Sequence, residues 1–296
     1  MTAHRAFAPI DLLMLLAIAL IWGVNNILAK IAVDALPAMM MVACRFGVVL
    51  IALALFIKPL PQGRRVLFFT MLAFIGLIHF GLQSVGLKLA TDLPPMVVAM
   101  QLWAPCSVVF AALLLKENVS PLRWVGVGLA FTGAASLNFD PAVFSQGLAL
   151  ALVAMASASY GLGTVLVRRM GVGLDPWATQ AWLALVTAPT MTLGTLTLEH
   201  GHAEAIRNAH WSIWAFIVFG AIVSSIVANA FMFKLVQRYE VSRTTPYLLL
   251  TPVITFTLSA LVLGHRITPQ ILAGAAVTMA GVALVALAER RFKAVA

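Results

Sequence analysis

Charge is scarce in this 296-residue chain, and acidic charge is scarcest: ten Asp and Glu stand against nineteen Lys and Arg, while 62% of the residues are hydrophobic. So few polar side chains cannot cover a soluble domain, so lipid is the main solvent. No charged stretch is long enough to form a separate globular unit. Only two cysteines occur, Cys44 and Cys106, both inside apolar runs, which excludes a disulfide framework or a thiolate metal site. No P-loop and no H-E-x-x-H pattern are present, which excludes ATP hydrolysis by this chain and argues against a zinc protease. The carboxylates, from Asp11 and Asp34 to Glu240 and Glu289, all fall in loops, tails or helix ends. An intramembrane aspartyl protease, which needs two carboxylates at one bond, is thereby disfavoured, as is a cation antiporter built on a central acid.

What is present is apolar sequence in membrane-sized pieces. A spanning helix needs about 17 to 25 mostly apolar residues, because its backbone must satisfy itself across a core about 30 Å thick. Ten segments qualify, near 9–31, 37–57, 66–87, 93–115, 121–138, 147–168, 176–197, 211–235, 244–263 and 269–288. Pro37, Pro94, Pro121, Pro176 and Pro269 fall near helix starts, where a missing N–H costs least. The run after Arg5 is too long for a signal peptide and lacks a small-x-small cleavage site, so it is read as the first span.

The formal charge of +9 is spread over short connections, which reads as topology and not as a nucleic-acid surface. With the N-terminus in the cytoplasm, the inner connections and tails collect Arg5, Lys58, Arg64, Arg65, Lys116, Arg123, Arg168, Arg169, Lys234, Arg238, Arg243, Arg290, Arg291 and Lys293. The outer connections keep Lys88, Arg207 and Arg266. Basic residues near helix ends are retained inside, so both termini are expected in the cytoplasm.

The chain repeats itself. Pro121, Gly126 and Gly133 are matched by Pro269, Gly274 and Gly281, each 148 positions on (274 less 126). Trp22-Gly23 and Lys30 are matched by Tyr160-Gly161 and Arg168, 138 positions on (160 less 22). The offsets differ by a longer connection around Glu199 to His210. Two units, 1–140 and 141–296, with five helices each follow; an odd number of spans per unit inverts the second against the first, which favours a transporter over an enzyme. The expected fold is an all-α polytopic membrane protein of ten transmembrane helices in two inverted five-helix repeats.

Trp22-Gly23-Val24-Asn25 with Lys30 on the first span, Pro37 and Arg45-Phe46 on the second, and Lys116-Glu117 after the fourth form one set of motifs. Arg238-Tyr239-Glu240, Arg243, Pro246 and Pro252 around the ninth complete it. In this order they resemble the EamA-type branch of the drug/metabolite transporter superfamily, over essentially the whole chain. The resemblance implies a bacterial inner-membrane exporter of amino acids and related metabolites. The chain departs from the pattern at Gly264-His265-Arg266, where Gly-Glu-Arg is frequent, and at Tyr160, where tryptophan is usual.

Polar groups inside spans are costly unless partnered or wet, so they are the candidates for a substrate path. Trp22, Asn25 and Asn26 lie mid-span on the first helix, offering an aromatic face and amide donors and acceptors, although Asn25 equally suits a helix–helix hydrogen bond. His79 and Gln83 share a face of the third span; His79 is a candidate proton carrier or a neutral histidine bonded to a carbonyl. Gln101 and Trp103 precede Pro105 on the fourth span, and Tyr247 and Thr251 precede Pro252 on the ninth, so both equivalent helices are interrupted beside polar groups. Tyr160 and Asn229 complete the candidate lining. Ser224, Ser225, Gln180 and Trp182 are weaker candidates, since small polar residues often serve only as helix contacts. Arg45, deep in the second span, must snorkel, pair or face water, since an unpaired cation there costs at least about 2.5–3.5 kcal/mol.

No cofactor or metal is expected, and ten helices can enclose a path in one chain, so a functional monomer is expected. Without an intramembrane acid, a neutral zwitterion fits better than an organic cation, and an amino acid with an aromatic or apolar side chain fits best. The alternatives are a multidrug, nucleotide-sugar or other metabolite carrier, a channel, and a lipid-modifying enzyme using His79 or His200, His202 and His210.

Overall fold

The computed structural model describes residues 8–59, 63–140, 143, 145–170, 174–236 and 247–295. Arg5, Arg238, Tyr239, Glu240, Arg243, Pro246 and the first part of the ninth expected span lie outside them. Among the described residues the regular structure is all helical. The helices are α1 (Pro9–Ala35), α2 (Ala38–Phe56), α3 (Arg65–Leu89), α4 (Leu93–Leu114), α5 (Pro121–Ser136), α6 (Gly147–Met170), α7 (Pro176–Leu198), α8 (Trp211–Val236), α9 (Leu250–Leu263) and α10 (Pro269–Val295). A short helix, His202–Asn208, fills the long connection before α8.

Eight of these are long and apolar enough to cross a membrane. Helix α5 has 16 residues and is prolonged by a 3-10 turn, Leu137–Phe139; the described part of α9 has 14. Of the ten expected spans, eight are matched by helices of membrane-crossing length, while α5 and the described part of α9 are shorter than that.

Proline acts at both starts and interruptions. It occupies the first turn of α1, α4, α5 and α7, where no intrahelical donor is lost. Inside α4, Pro105 cannot donate to the carbonyl of Gln101, four residues back, and the helix breaks at Gln101–Leu102 before restarting at Trp103. At the equivalent place, Leu249 adopts the same near-3-10 conformation (ψ −9°, against −13° at Gln101) just before Pro252 in α9. Both α3 and α8 contain a π-helical stretch, Ala73–Ile78 and Gly220–Ala228, again at matching repeat positions.

Glycine sets the closest joints. A Cβ on Gly23 of α1 would lie 2.7 Å from Ile254 and 3.4 Å from the Thr251 carbonyl of α9. One on Gly161 of α6 would lie 2.8 Å from the Trp103 carbonyl and 3.0 Å from Cys106 of α4. Trp103 and Cys106 stand 148 positions before Thr251 and Ile254 (251 less 103), so one joint is built twice from equivalent residues. Helices α5 and α10 run antiparallel: Gly126 faces Gly281, Gly133 faces Gly274, and Thr278 donates to the carbonyl of Ala130, its own repeat equivalent, at 3.4 Å.

The connections tie both ends of the bundle. At one end, Lys30 donates to Asp34 (2.5 Å) and the Ala90 carbonyl (2.7 Å), so this cation is buried and partnered and does not reach outward to water. Beside it, Glu199 at the end of α7 accepts from the Met39 and Met40 amides opening α2, and His265 accepts from the Leu93 amide opening α4. At the opposite end, Arg168 pairs with Glu117, Arg64 donates to the Met170 carbonyl, and Lys58 pairs with Asp175.

Asp175 also caps α7, accepting from the amides of Trp177 (2.9 Å) and Ala178 (3.2 Å). The Lys58 hydrogen bond, followed by these amides, holds its carboxyl below the ordinary carboxylate range. A depressed folded-state value stabilises the fold above the ordinary value, near pH 4, and that contribution is lost as pH falls through the depressed one. Asp175→Ala is expected to lower stability by about 1 kcal/mol at pH 7, with the difference from the parent shrinking below pH 4 in thermal melts.

Candidate functional site

Polar and aromatic side chains from both halves converge beside the π-helical stretch of α3. His79, at its end, donates from Nδ1 to the Ala156 carbonyl of α6 at 2.9 Å, since a carbonyl only accepts. The His79 ring lies 4.7 Å from Phe80 and 4.9 Å from Tyr160, and Tyr160 meets Trp103 edge-on at 5.8 Å. This cluster joins α3 and α4 to α6. Gln83, one turn beyond His79, points its amide at the Met100 sulfur (3.7 Å), next to the α4 break at Gln101.

Arg45 extends the cluster. It is 8% exposed, with its guanidinium 5.5 Å over the Phe80 ring. Nε donates to Ser225 (3.2 Å), and Nη2 to Ser225 (3.0 Å) and Ser224 (3.5 Å). Both serines belong to the π-helical stretch of α8. A Cβ on Gly220 in that stretch would sit 3.1 Å from Asn25 Oδ1 and 3.5 Å from the Arg45 guanidinium carbon, so Asn25 and Arg45 approach one another over a bare backbone. Gln180 of α7 donates to the Ser225 carbonyl at 2.6 Å. π-bulges recur at functional sites because they widen a helix and redirect its side chains.

The remaining candidates are placed elsewhere. Asn26 donates to Thr255 (3.2 Å), which also bonds the Gly23 and Thr251 carbonyls, so it belongs to the α1–α9 joint. Asn229 donates to the Ser225 carbonyl one turn back (2.8 Å). Trp22 and Tyr247 pack on an apolar cluster of Leu15, Ile18, Ala228, Leu235 and Leu248, apart from His79. The Thr251 hydroxyl is buried without a hydrogen-bond partner among the described residues. Two histidines of the long connection are engaged locally: His202 with Thr195, and His210 as the cap of α8. A depression of about 370 Å³ at one end of the bundle, between Pro37, Lys88, Glu199 and His200, shares no residue with the central cluster and is too open to hold a solute away from water.

Ser224, Ser225 and Gln180, weaker candidates by sequence, thus stand in the cluster, together with Phe80 and Gly220, which carry no mark in the sequence. Adjacent mid-span serines were a signal for a buried polar partner, but nothing in the sequence joins them to Arg45, 180 positions away.

Comparison with known proteins agrees with this architecture. The model of the EamA-like transporter family matches twice, over residues 9–139 and 147–287. A probable amino-acid metabolite efflux pump of Salmonella typhimurium is 24% identical over 92% of the chain and 93% of its own length. Its namesake in Escherichia coli is 24% identical over 96% and 97%, and an uncharacterized transporter of Bacillus subtilis is 27% identical over 96% and 94%. A solved crystal structure superposes with a TM-score of 0.64 over 97% of this chain and 100% of its own, at 20% identity, a likeness of fold alone. The chain belongs to the EamA-like transporter family and is a membrane transporter of that family.

Proposed function

We propose that the protein is a ten-helix carrier of two inverted repeats that exports small neutral metabolites, amino acids foremost, across a bacterial inner membrane by alternating access. It works as a monomer with both termini in the cytoplasm. The observation that carries this reading is the central cluster: Arg45, His79, Phe80 and Trp103 from the first half meet Tyr160, Ser224 and Ser225 from the second. Inverted repeats place their substrate between the halves, and rocking of one half against the other opens that place to each side in turn. The twice-built α1–α9 and α4–α6 joints and the antiparallel α5–α10 pair support the inversion, as do the two family matches. The amino-acid metabolite efflux named for the Salmonella and Escherichia relatives and the aromatic character of the cluster support an amino acid as the solute.

Counterflow tests it. Purified protein in liposomes preloaded with unlabelled amino acids is expected to accumulate labelled tryptophan, phenylalanine, threonine or methionine saturably and transiently. Uptake of a labelled cationic drug alone would replace the amino-acid reading with a multidrug one, and linear uptake without counterflow would indicate a channel.

A further inference from the structure

Arg45 is a buried cation with no carboxylate within 4 Å among the described residues. Its protein partners are neutral hydroxyls, which orient the guanidinium without cancelling its charge. Ser225 spans the Nε–Nη2 edge of the planar fork, Ser224 accepts a long bond from Nη2 alone (3.5 Å), and Nη1 makes no hydrogen bond among the described residues. Nη1 therefore offers its N–H groups to a carboxylate oxygen, and exchange of the long Ser224 contact on Nη2 for the second oxygen completes the two-pronged pair.

Resting on the carrier reading above, we infer that Arg45 is the anchor for a carboxylate of the transported solute, with the solute's side chain directed along Phe80 and His79 toward Tyr160 and Trp103. The surroundings are built for that task. The Ser225 hydroxyl fixes the fork along its Nε–Nη2 edge, and Phe80 closes one face of it. Asn25 Oδ1, close by over Gly220, supplies an acceptor for an ammonium group beside the carboxylate. An incoming carboxylate would complete a charge pair inside the membrane, where an uncompensated cation is disfavoured, so solutes carrying this group gain most from the site. A solute with only an ammonium meets like charge there.

Three ligands of one shape separate these contributions: phenylalanine, 3-phenylpropionate, which lacks the ammonium, and phenethylamine, which lacks the carboxylate. Binding is read as displacement of labelled phenylalanine, and as a thermal shift, on purified protein in detergent. Phenylalanine and 3-phenylpropionate are expected to bind, with phenethylamine at least thirtyfold weaker. Arg45→Gln is expected to lose at least thirtyfold toward both carboxylates, and Arg45→Lys to recover part of that loss. Equal binding of phenethylamine to the parent protein overturns the inference, as does unaltered carboxylate binding by Arg45→Gln. Absence of binding by every carboxylate in a panel of aromatic and aliphatic amino acids also overturns it. The ligand series on the parent protein decides the question even if Arg45→Gln does not fold. Carboxylate binding without counterflow would leave the anchor standing and remove the carrier reading; counterflow restricted to amines would do the reverse.

Discussion

Gly133→Val is expected to lower the stability of the fold by about 3 kcal/mol or more, which makes it one of the most damaging changes along the glycine seam. A Cβ at Gly133 would lie 2.5 Å from the Thr278 amide and 2.7 Å from the Gly274 carbonyl. These are backbone atoms of α10, which cannot rotate away as a side chain would, so the two helices must separate along the whole glycine seam. Inserting methylenes into packed interiors costs about 1–3 kcal/mol, and a branched side chain against backbone belongs at the top of that range. Native domains hold only about 5–15 kcal/mol in total. Thermal melting followed by size-exclusion chromatography in detergent measures the loss. Gly128→Val is the control: a Cβ at Gly128 on the same helix meets nothing within 4 Å, and its melting should stay within about 0.5 kcal/mol of the parent. Equal melting of the two variants would show that α5 and α10 do not pack through this seam.

The second large effect is on transport. Tyr160 stands between His79 and Trp103, and each aromatic contact contributes about 0.5–1.5 kcal/mol beyond burial. Tyr160→Ala should weaken the half-saturation of counterflow for an aromatic amino acid by about tenfold or more, since 1.4 kcal/mol is a factor of ten. Tyr160→Phe keeps the ring and should lose only a few-fold. Trp22→Ala, in the separate cluster with Tyr247, should change half-saturation less than about twofold. A larger effect at Trp22 than at Tyr160 would move the substrate path from the α3–α4–α6 cluster to the α1–α9 side.

How much of this was legible in the sequence depends on the range of the interaction that decides it. Helix positions follow from apolar runs and prolines, both local, and the predicted starts at Pro121, Pro176 and Pro269 are the observed ones. The glycine offsets were visible as well, because a close helix contact demands the residue type itself: Gly126, Gly133, Gly274 and Gly281 form one seam. Among the candidate residues, His79, Tyr160 and Trp103 come together, while Asn26 and Asn229 are engaged in helix contacts that an asparagine fulfils as readily as a solute contact. The π-helical stretches left no sequence mark, since they arise from packing between helices. Arg45 announced itself as a buried charge, but its serine partners became visible only in three dimensions.

The most direct test of a solute site between two rocking halves is its accessibility from each side. With Cys44 and Cys106 replaced by alanine, Gln83→Cys places one thiol beside the central cluster. A membrane-impermeant maleimide is then applied to right-side-out and to inside-out vesicles. Alternating access predicts labelling from both sides, slowed in each case by saturating solute. Labelling from one side only, or labelling indifferent to solute, would contradict it.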